Sequence, residues 1–270
     1  MTQSRIFITG GASGLGRALA ERYAQAGWRV LIGDVNEERL VETVAAVGAA
    51  GGSIVQRLCD VRREEDLEAA AQWLDAEWGG VDVVVNNAGV SQAGGIGETS
   101  LADWNWIIDI NLLGVVRGCK VFTPRFRRQG RGHFVNVSSL AGLVHPPLMS
   151  AYCATKAAVV ALSESMVVEL AADHIDVSVV CPAFFKTNLM ESMRTSSSAL
   201  DRSARKLVER ARRGAPEIAA LVFEGVARKD FHILTHPEGR AAWMVKRLAP
   251  FAAYKRLMRK STDIMLALRK

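Results

Sequence analysis

The first two-thirds of the chain alternate short runs of β-branched and apolar residues with longer segments of helical period. This alternation predicts an α/β fold with a doubly wound, mostly parallel sheet and helices on both faces. Continuous apolar runs such as 83–85 are typical of strands that are buried on both sides. We expect seven strands, at 5–9, 29–34, 53–60, 81–86, 132–138, 176–181 and 231–234.

Capping residues mark the ends of the predicted helices. Asn36 is placed to cap the helix that runs towards Val47, and Gly27 ends the first helix. Two longer helices are predicted at 101–128 and 150–174, and the second carries small and apolar residues along its length. A helix whose apolar surface exceeds what one sheet can cover often pairs with another subunit, so we expect a homodimer or homotetramer.

Length and composition are consistent with a single large core. A chain of 270 residues with 49% hydrophobic content suits one domain, which we place at 1–238. Between 187 and 213 the composition shifts to Ser, Arg and Met, which predicts a mobile substrate lid before the last strand. The remainder, 239–270, forms a separate C-terminal extension.

The cysteines and the chain start limit the class of protein. The four cysteines lack CxxC pairing and zinc-ligand spacing, so neither a disulfide framework nor a metal site is predicted. A strand-like run begins at Arg5, which leaves no room for a signal peptide. No uncharged stretch is as long as a membrane span, and we therefore expect a cytoplasmic protein.

A glycine-rich turn joins the first predicted strand to the first helix. Its sequence, Thr-Gly-Gly-Ala-Ser-Gly-Leu-Gly at 9–16, has the spacing Gly-x-x-x-Gly-x-Gly. Glycine lets the backbone approach a pyrophosphate, and a helix N-terminus offers free N–H groups and the positive end of a dipole. The alternative is a tight connection without a ligand. We favour a dinucleotide site in a single Rossmann-type domain, bound by Gly10, Ser13, Gly14, Leu15 and Gly16.

Asp34 ends the second predicted strand, about twenty residues beyond the glycines, where a carboxylate accepts hydrogen bonds from the adenosine ribose. The same charge repels a 2′-phosphate, and no basic residue replaces Ser13 or immediately follows Asp34. NAD is therefore favoured over NADP, although Arg17 and Arg39 are close in sequence. The alternative role of Asp34 is that of an acid near a helix N-terminus.

A second group of polar residues predicts hydride chemistry. Ser139 follows the fifth predicted strand, Asn111 lies in the long helix before it, and Tyr152 and Lys156 are four residues apart on one helical face. Carbonyl reduction leaves negative charge on oxygen, and alcohol oxidation requires loss of the hydroxyl proton. A phenol with a pKa of about 10 is a poor base at neutral pH, but an adjacent ammonium favours the phenolate. Ser139 would hold the substrate oxygen. Singly, each residue suits an ordinary structural role; together, after a dinucleotide turn, they favour catalysis.

In this order and spacing, over about 5–187, the motifs closely resemble the short-chain dehydrogenase/reductase family. The resemblance implies that Tyr152 is the general acid/base and that Lys156 lowers its pKa and binds the nicotinamide ribose. It implies that Ser139 orients the substrate and that Asn111 positions a water in a proton relay. It also implies adenine contacts from Asp60 and Val61 and an adenosine-side wall formed by Asn87, Ala88 and Gly89.

One departure from the family pattern follows the sixth predicted strand. The family has Pro-Gly there, whereas this chain has Pro182-Ala183. Alanine preserves the loop if its φ is negative. Phe185 and Thr187 would then meet the nicotinamide carboxamide together with Pro182.

Apolar residues near the lid suggest the wall of a substrate pocket, or packing of the lid on the body. His145 lies between Ser139 and Tyr152 and is expected to shape the pocket rather than to act as a base. The apolar residues are Phe184, Phe185, Leu189, Met190 and Met193.

The extension at 239–270 carries nine basic residues against one acid, which contributes to a net charge of +6. Its apolar residues recur at helical intervals, a pattern found in helices that lie on anionic membranes. The favoured alternative is a terminal helix that docks its apolar stripe on the body or on another subunit. No nucleic-acid reading module accompanies the charge, so nucleic-acid binding is not expected.

The combined pattern predicts an NAD(P)-dependent oxidoreductase that transfers a hydride between the cofactor and an apolar secondary alcohol or ketone. A lyase or epimerase that keeps its NAD tightly bound is a second possibility, because it would use the same fold and residues. A non-catalytic dinucleotide sensor would tolerate loss of the Tyr–Lys pair, which is intact here.

Overall fold

The computed structural model describes residues 3–195, 197–256 and 258–259. Its main sheet has seven parallel strands in the order β3-β2-β1-β4-β6-β7-β9, which confirms the predicted doubly wound fold. The chain crosses between sheet halves after β3, so a crevice opens at the carboxyl ends of β1 and β4. Within the described residues the strands are β1 Arg5–Thr9, β2 Arg29–Asp34, β3 Ser53–Leu58, β4 Val83–Asn86, β5 Gln92–Ala93, β6 Gly132–Val137, β7 Ile175–Val180, β8 Arg194–Thr195 and β9 His232–Ile233.

Helices cover both faces of this sheet. Asn36 caps the second helix as predicted, because its side-chain Oδ1 accepts a hydrogen bond from Arg39 N at 2.9 Å. The first helix ends at Gln25, and Gly27 follows in the left-handed region with a φ of 80°. The α-helices are α1 Gly14–Gln25, α2 Glu37–Ala49, α3 Glu64–Trp78, α4 Leu101–Ile108, α5 Gly114–Gln129, α6 Ala141–Val144, α7 Ser150–Glu169, α8 Ser198–Glu209, α9 Ala215–Ala227 and α10 Pro237–Leu248.

The core is split by the sheet into two layers. Successive side chains of a strand point to opposite faces, so Ile6 packs with α1 and α9 while Phe7 packs with α3 and α5. Tyr23 of α1 and Phe122 of α5 are among the largest fully buried side chains of the two layers. Strands buried on both faces explain why their sequences read as continuous apolar runs.

The long helix expected at 101–128 is wrong as a single helix. It is interrupted by a π-helical turn, Asp109–Leu113, between α4 and α5. The helix expected at 150–174 ends at Glu169, and a 3₁₀ turn, Ala171–Asp173, follows it. A π turn inserts one extra residue, which leaves hydrophobic period almost unchanged and therefore gives little sequence signal.

The segment at 187–213 contains more regular structure than its composition suggests. A 3₁₀ turn at Asn188–Ser192 precedes β8, which pairs with β5, and α8 follows. Helix α8 buries Leu200, Ser203 and Val208 at helical spacing, so its polar composition conceals an amphipathic helix. At the base of the segment, Lys186 N donates a hydrogen bond to Arg213 O at 3.1 Å.

The described part of the C-terminal extension is helical and docks on the body. Helix α10 is followed by further helical residues at 251–256. Trp243 packs against the cluster that contains Leu143 and Val144, and Tyr254 is buried. Leu248 and Phe251 remain 75% and 74% exposed. One face of the segment is therefore covered and another is open, while 260–270 lie outside the described residues.

Helix α7 is the one described helix long and apolar enough, by length and composition, to cross a membrane. Half of that stretch is buried inside the protein, where Val159 and Met166 contribute to the core beneath the sheet. Core helices of this kind pass the same test.

Candidate active site

The glycine-rich turn lies at the carboxyl end of β1 and leads directly into α1. Gly10 and Gly14 have φ angles of 65° and 53°, which residues with a Cβ rarely adopt. A Cβ on Gly16 would lie 2.0 Å from Gly10 O, so only glycine fits there. Ser13 precedes α1 and makes no side-chain capping hydrogen bond. The free N–H groups at the start of α1 thus face a bare backbone turn, which suits a pyrophosphate.

Hydrogen bonds between Thr9, Gly10, Asn87 and Ala88 fix this turn to the loop after β4. Asn87 N and Ala88 N both donate to Thr9 Oγ1, at 3.0 and 3.1 Å. The Asn87 side chain donates to Gly10 O at 3.1 Å. Asn87 therefore holds the turn in shape as well as lining the cavity, and Thr9 is a functional residue that the sequence prediction missed.

Asp34 lies at the end of β2 and lines the cavity beside the glycine-rich turn. Its carboxylate accepts hydrogen bonds from Ala12 N at 3.1 Å and from Asn36 N at 3.0 Å. These two hydrogen bonds fix the orientation of the Asp34 carboxylate in the cavity wall. Arg39 also lines the cavity, but its guanidinium is paired with Glu191 at 2.8 Å.

Asp60 and Val61 form the next part of the wall. The Asp60 carboxylate is bound by Arg62 Nη2 at 2.6 Å, and hydrogen bonds from Arg62 hold the pKa of that carboxyl below its ordinary value. Val61 packs so closely on α5 that a Cβ on Gly114 would lie 2.8 Å from its Cγ2. Both residues are thus fixed in place as a flat wall beside Asp34.

The predicted catalytic pair lies in the first turns of α7 and faces the cavity. Lys156 Nζ donates to Val137 O at 2.9 Å and lies 5.9 Å from the centre of the Tyr152 ring. Burial lowers the pKa of Lys156 to about 8. Burial also raises the pKa of Tyr152 to about 12, and a hydrogen bond with Ser139 opposes this rise. In the protein alone, desolvation therefore outweighs any lowering of the tyrosine pKa by the ammonium.

Ser139 lies between β6 and α6 and meets Tyr152 through their hydroxyls. Its Oγ accepts a hydrogen bond from Ala141 N at 3.1 Å and donates to Pro182 O at 3.4 Å. The long bond to Pro182 is weak and is readily exchanged for one to a bound oxygen. The three residues Ser139, Tyr152 and Lys156 are therefore brought together as predicted.

Asn111 is buried within the π-helical turn. Its side-chain Oδ1 accepts from Val90 N at 2.8 Å, and its Nδ2 donates to Val90 O at 2.9 Å. Gly89 lies between Asn111 and Lys156, since a Cβ there would be 3.2 Å from Asn111 Oδ1 and 3.4 Å from Lys156 Nζ. The side chain thus holds the loop after β4, and its part in a proton relay stays a prediction.

The loop after β7 forms a further part of the cavity wall, through Pro182, Phe185 and Thr187. The φ angle of Ala183 is not positive, so alanine fits at the position where the family pattern has glycine. Thr187 covers the glycine-rich turn, because a Cβ on Gly14 would lie 2.8 Å from Thr187 Oγ1. Phe185 is buried and contributes to the core as well as to the cavity wall.

These elements enclose a cavity of about 470 Å³. All of the predicted site residues except Gly16, Asn111 and Ser139 line the cavity. Sequence reasoning missed part of the apolar lining. Trp106 and Ile110 are four residues apart in α4 and the π turn, so helical periodicity could have indicated that they share a face. The lining residues that the sequence prediction missed are Val35, Asn36, Cys59, Arg62, Val90, Trp106, Ile110, Val137, Ser138, Asn188, Glu191 and Ser192.

Known proteins match this chain along most of its length. The family model for short chain dehydrogenases matches residues 4–198. A short-chain dehydrogenase/reductase from Burkholderia phymatum, crystallised in complex with NAD, superimposes with a TM-score of 0.86 at 34% identity, covering 91% of this chain and 93% of that one.

Curated relatives agree with this match. A CLA biosynthesis dehydrogenase/reductase from Lactiplantibacillus plantarum is 31% identical over 251 residues, covering 86% of this chain and 88% of the relative. The oxidoreductase EphD from Mycobacterium tuberculosis is 32% identical over 256 residues, and the match covers 92% of this chain but 43% of that protein's length. This chain therefore belongs to the short-chain dehydrogenase/reductase family.

Proposed function

We propose that this protein is an NAD-dependent dehydrogenase or reductase of an apolar secondary alcohol or ketone. The observation that carries the proposal is that the Tyr152–Lys156 pair and the glycine-rich turn open onto one cavity. A bound nicotinamide ring supplies the hydride acceptor or donor, and the chain supplies the proton chemistry.

The proton steps follow from the positions of three side chains. Ser139 holds the substrate oxygen through its hydroxyl. The Tyr152 phenol gives its proton to that oxygen during reduction and takes it back during oxidation. The Lys156 ammonium beside the ring stabilises the charge that the phenol gains. Tyr152 and Lys156 are buried, which limits the access of water to their protons.

The polar end of the cavity favours NAD over NADP. The Asp34 carboxylate lines the cavity, and its negative charge would repel the 2′-phosphate of NADP. The guanidinium that could compensate belongs to Arg39, which is held by Glu191.

The other end of the cavity favours an apolar substrate. Trp106 and Ile110 line the cavity, and an apolar substrate that packs against them is stabilised by the removal of its surface from water. We further propose a soluble cytoplasmic enzyme that works as a homodimer or homotetramer. Peripheral membrane contact through the C-terminal extension is the less favoured arrangement.

The test is a panel of secondary alcohols and ketones assayed with NAD(H) and NADP(H) by nicotinamide absorbance. Tyr152→Phe should lower turnover by about 10²-fold or more, because it removes the proton donor and acceptor. Tyr23→Phe is the matched control, since the Tyr23 hydroxyl is buried and has no hydrogen-bond partner among the described residues.

Two outcomes would contradict the proposal. Unchanged turnover in Tyr152→Phe would exclude the proton role of this residue. Substrate conversion without net consumption of nicotinamide would instead identify a lyase or epimerase that retains its NAD.

A further inference from the structure

The loop that carries the catalytic serine is held in an uncommon conformation. It runs from Ser139 to Tyr152 and contains the one-turn helix α6. That helix ends at His145, which has a φ of 45°, and Leu148 further along has a φ of 60°. Residues with a Cβ keep such angles only where the surrounding structure holds them.

Two side chains of the C-terminal segment bond to the end of α6. Lys246 Nζ donates a hydrogen bond to Leu143 O at 2.6 Å, and the Tyr254 hydroxyl donates one to Val144 O. The last carbonyls of a helix have no partner within the helix and carry the negative end of its dipole. The Lys246 ammonium and the Tyr254 hydroxyl therefore supply the hydrogen bonds that these two carbonyls lack, although they lie 103 and 110 residues further along the chain.

Apolar packing reinforces these hydrogen bonds. Gly239 lies against Leu140 so closely that a Cβ there would approach Leu140 Cδ2 to 2.9 Å. Trp243 packs on the cluster formed by Leu143 and Val144. The start of the loop and the end of α6 are thus both covered by α10.

Helix α6 in turn touches the catalytic residues. Ala141 N donates to Ser139 Oγ at 3.1 Å. A Cβ on Gly142 would lie 2.7 Å from Lys156 O and 2.7 Å from Ser138 Oγ, so α6 rests directly on the backbone of Lys156. Among the described residues, none after Ser192 lines the cavity. Helix α6 is therefore the element that links the hydrogen-bonding side chains of the C-terminal segment to Ser139.

We propose that Lys246 and Tyr254 are positioning residues that fix α6 and, through it, the Ser139 hydroxyl. This inference rests on the proposed function. Because the contact lies on the serine side of the cavity and away from the glycine-rich turn, its loss lowers the rate of the chemical step and leaves cofactor affinity unchanged.

The experiment compares Tyr254→Phe and Lys246→Met with the wild-type full-length protein. Each variant loses one hydrogen-bond donor, and kcat should fall by about tenfold while the Kd for NADH stays constant. Lys246→Arg keeps a donor and should restore most of the rate. Matched controls are Tyr23→Phe, which removes a buried hydroxyl without a hydrogen-bond partner among the described residues, and Lys255→Met on the exposed side of the segment.

Hydrogen–deuterium exchange of the amides at 140–149 gives a readout that does not depend on activity. Faster exchange in either donor variant than in its control, together with the loss of kcat, supports the proposal. Unchanged exchange overturns it, even if the wild type proves active. Faster exchange with unchanged kcat also overturns the positioning role. A wild type that turns over no alcohol or ketone refutes the proposed function, and the exchange data then report on the docking contact alone.

Discussion

Lys156 is a buried cation whose desolvation lowers the stability of the fold. Its ammonium is buried and has one hydrogen bond, to Val137 O. Burial lowers its pKa from 10.5 to about 8, and since a pKa unit corresponds to about 1.4 kcal/mol, the charged form costs about 3 kcal/mol. We propose that the cation is retained because it supports the proton chemistry of Tyr152.

The free energy of unfolding should therefore depend on pH through Lys156. Below about pH 8 the Lys156 amine is protonated in both the folded and the unfolded protein, so the full cost of burying the charge is present. Between about pH 8 and 10.5 only the unfolded chain holds the proton, and the free energy of unfolding therefore rises with pH. Lys156→Met should be inactive yet more stable at pH 7, by about 2 kcal/mol after loss of the Val137 hydrogen bond is subtracted. Chemical denaturation at pH 7 and pH 10 measures this difference.

The gain in the free energy of unfolding from Lys156→Met should be smaller at pH 10, because the Lys156 amine of the folded wild type is neutral at that pH. Lys255→Met, on an exposed position, should show no such pH dependence. A Lys156→Met protein that is less stable than wild type at pH 7 would contradict the assigned burial cost.

We propose that Asp34 sets the choice between NAD and NADP through its charge. Asp34→Asn keeps the shape and removes the repulsion, so the ratio of kcat/KM with NADP to kcat/KM with NAD should rise by about tenfold or more. Initial rates with both cofactors measure this ratio. Glu37→Gln, an exposed acid three residues away, is the charge-matched control. An unchanged ratio in Asp34→Asn would show that another residue sets the preference.

At the scale of elements, the strands were predictable and the helical interruptions were not. A buried parallel strand shows directly as an apolar run bounded by turn residues, and all seven main strands were located within a few residues. The π turn at Asp109–Leu113 adds one residue to a helix without changing its composition. Its consequence is nevertheless large, because it turns Asn111 inward to bind Val90.

The predicted lid at 187–213 is a second case in which composition alone did not predict the secondary structure. Its Ser- and Arg-rich composition indicates mobility, but α8 and the β5–β8 pair form because a few apolar positions meet the body. Thr187 and Phe185, which the sequence predicts to contact the cofactor, line the cavity. It gave no sign that Glu191 would reach Arg39 from 152 residues away.

At the scale of the whole molecule, two long helices leave apolar surface uncovered. Val168 on α7 is 77% exposed, and Leu113 at the start of α5 is 40% exposed. We expect α5 and α7 to form a subunit interface, so that light scattering at micromolar concentration gives the mass of a dimer or tetramer.

Val168→Glu should weaken that assembly, because a buried unpaired carboxylate is costly at an interface. Its dissociation constant should rise by about tenfold or more. Val41→Glu on α2, a position that is 54% exposed, makes the same change outside the expected interface and should leave the mass unchanged. A monomeric wild type would contradict the prediction.

The sequence by itself determined the sheet, the cofactor turn and the identity of the Ser139, Tyr152 and Lys156 group. These features depend on local rules: strand burial, the steric freedom of glycine, and helical spacing within α7. Only the tertiary structure decided that burial dominates the pKa of Tyr152, that Asn87 and Thr9 staple the glycine-rich turn, and that the C-terminal segment bonds to α6. Such properties arise from residues far apart in the chain, and no local pattern encodes the distance between them.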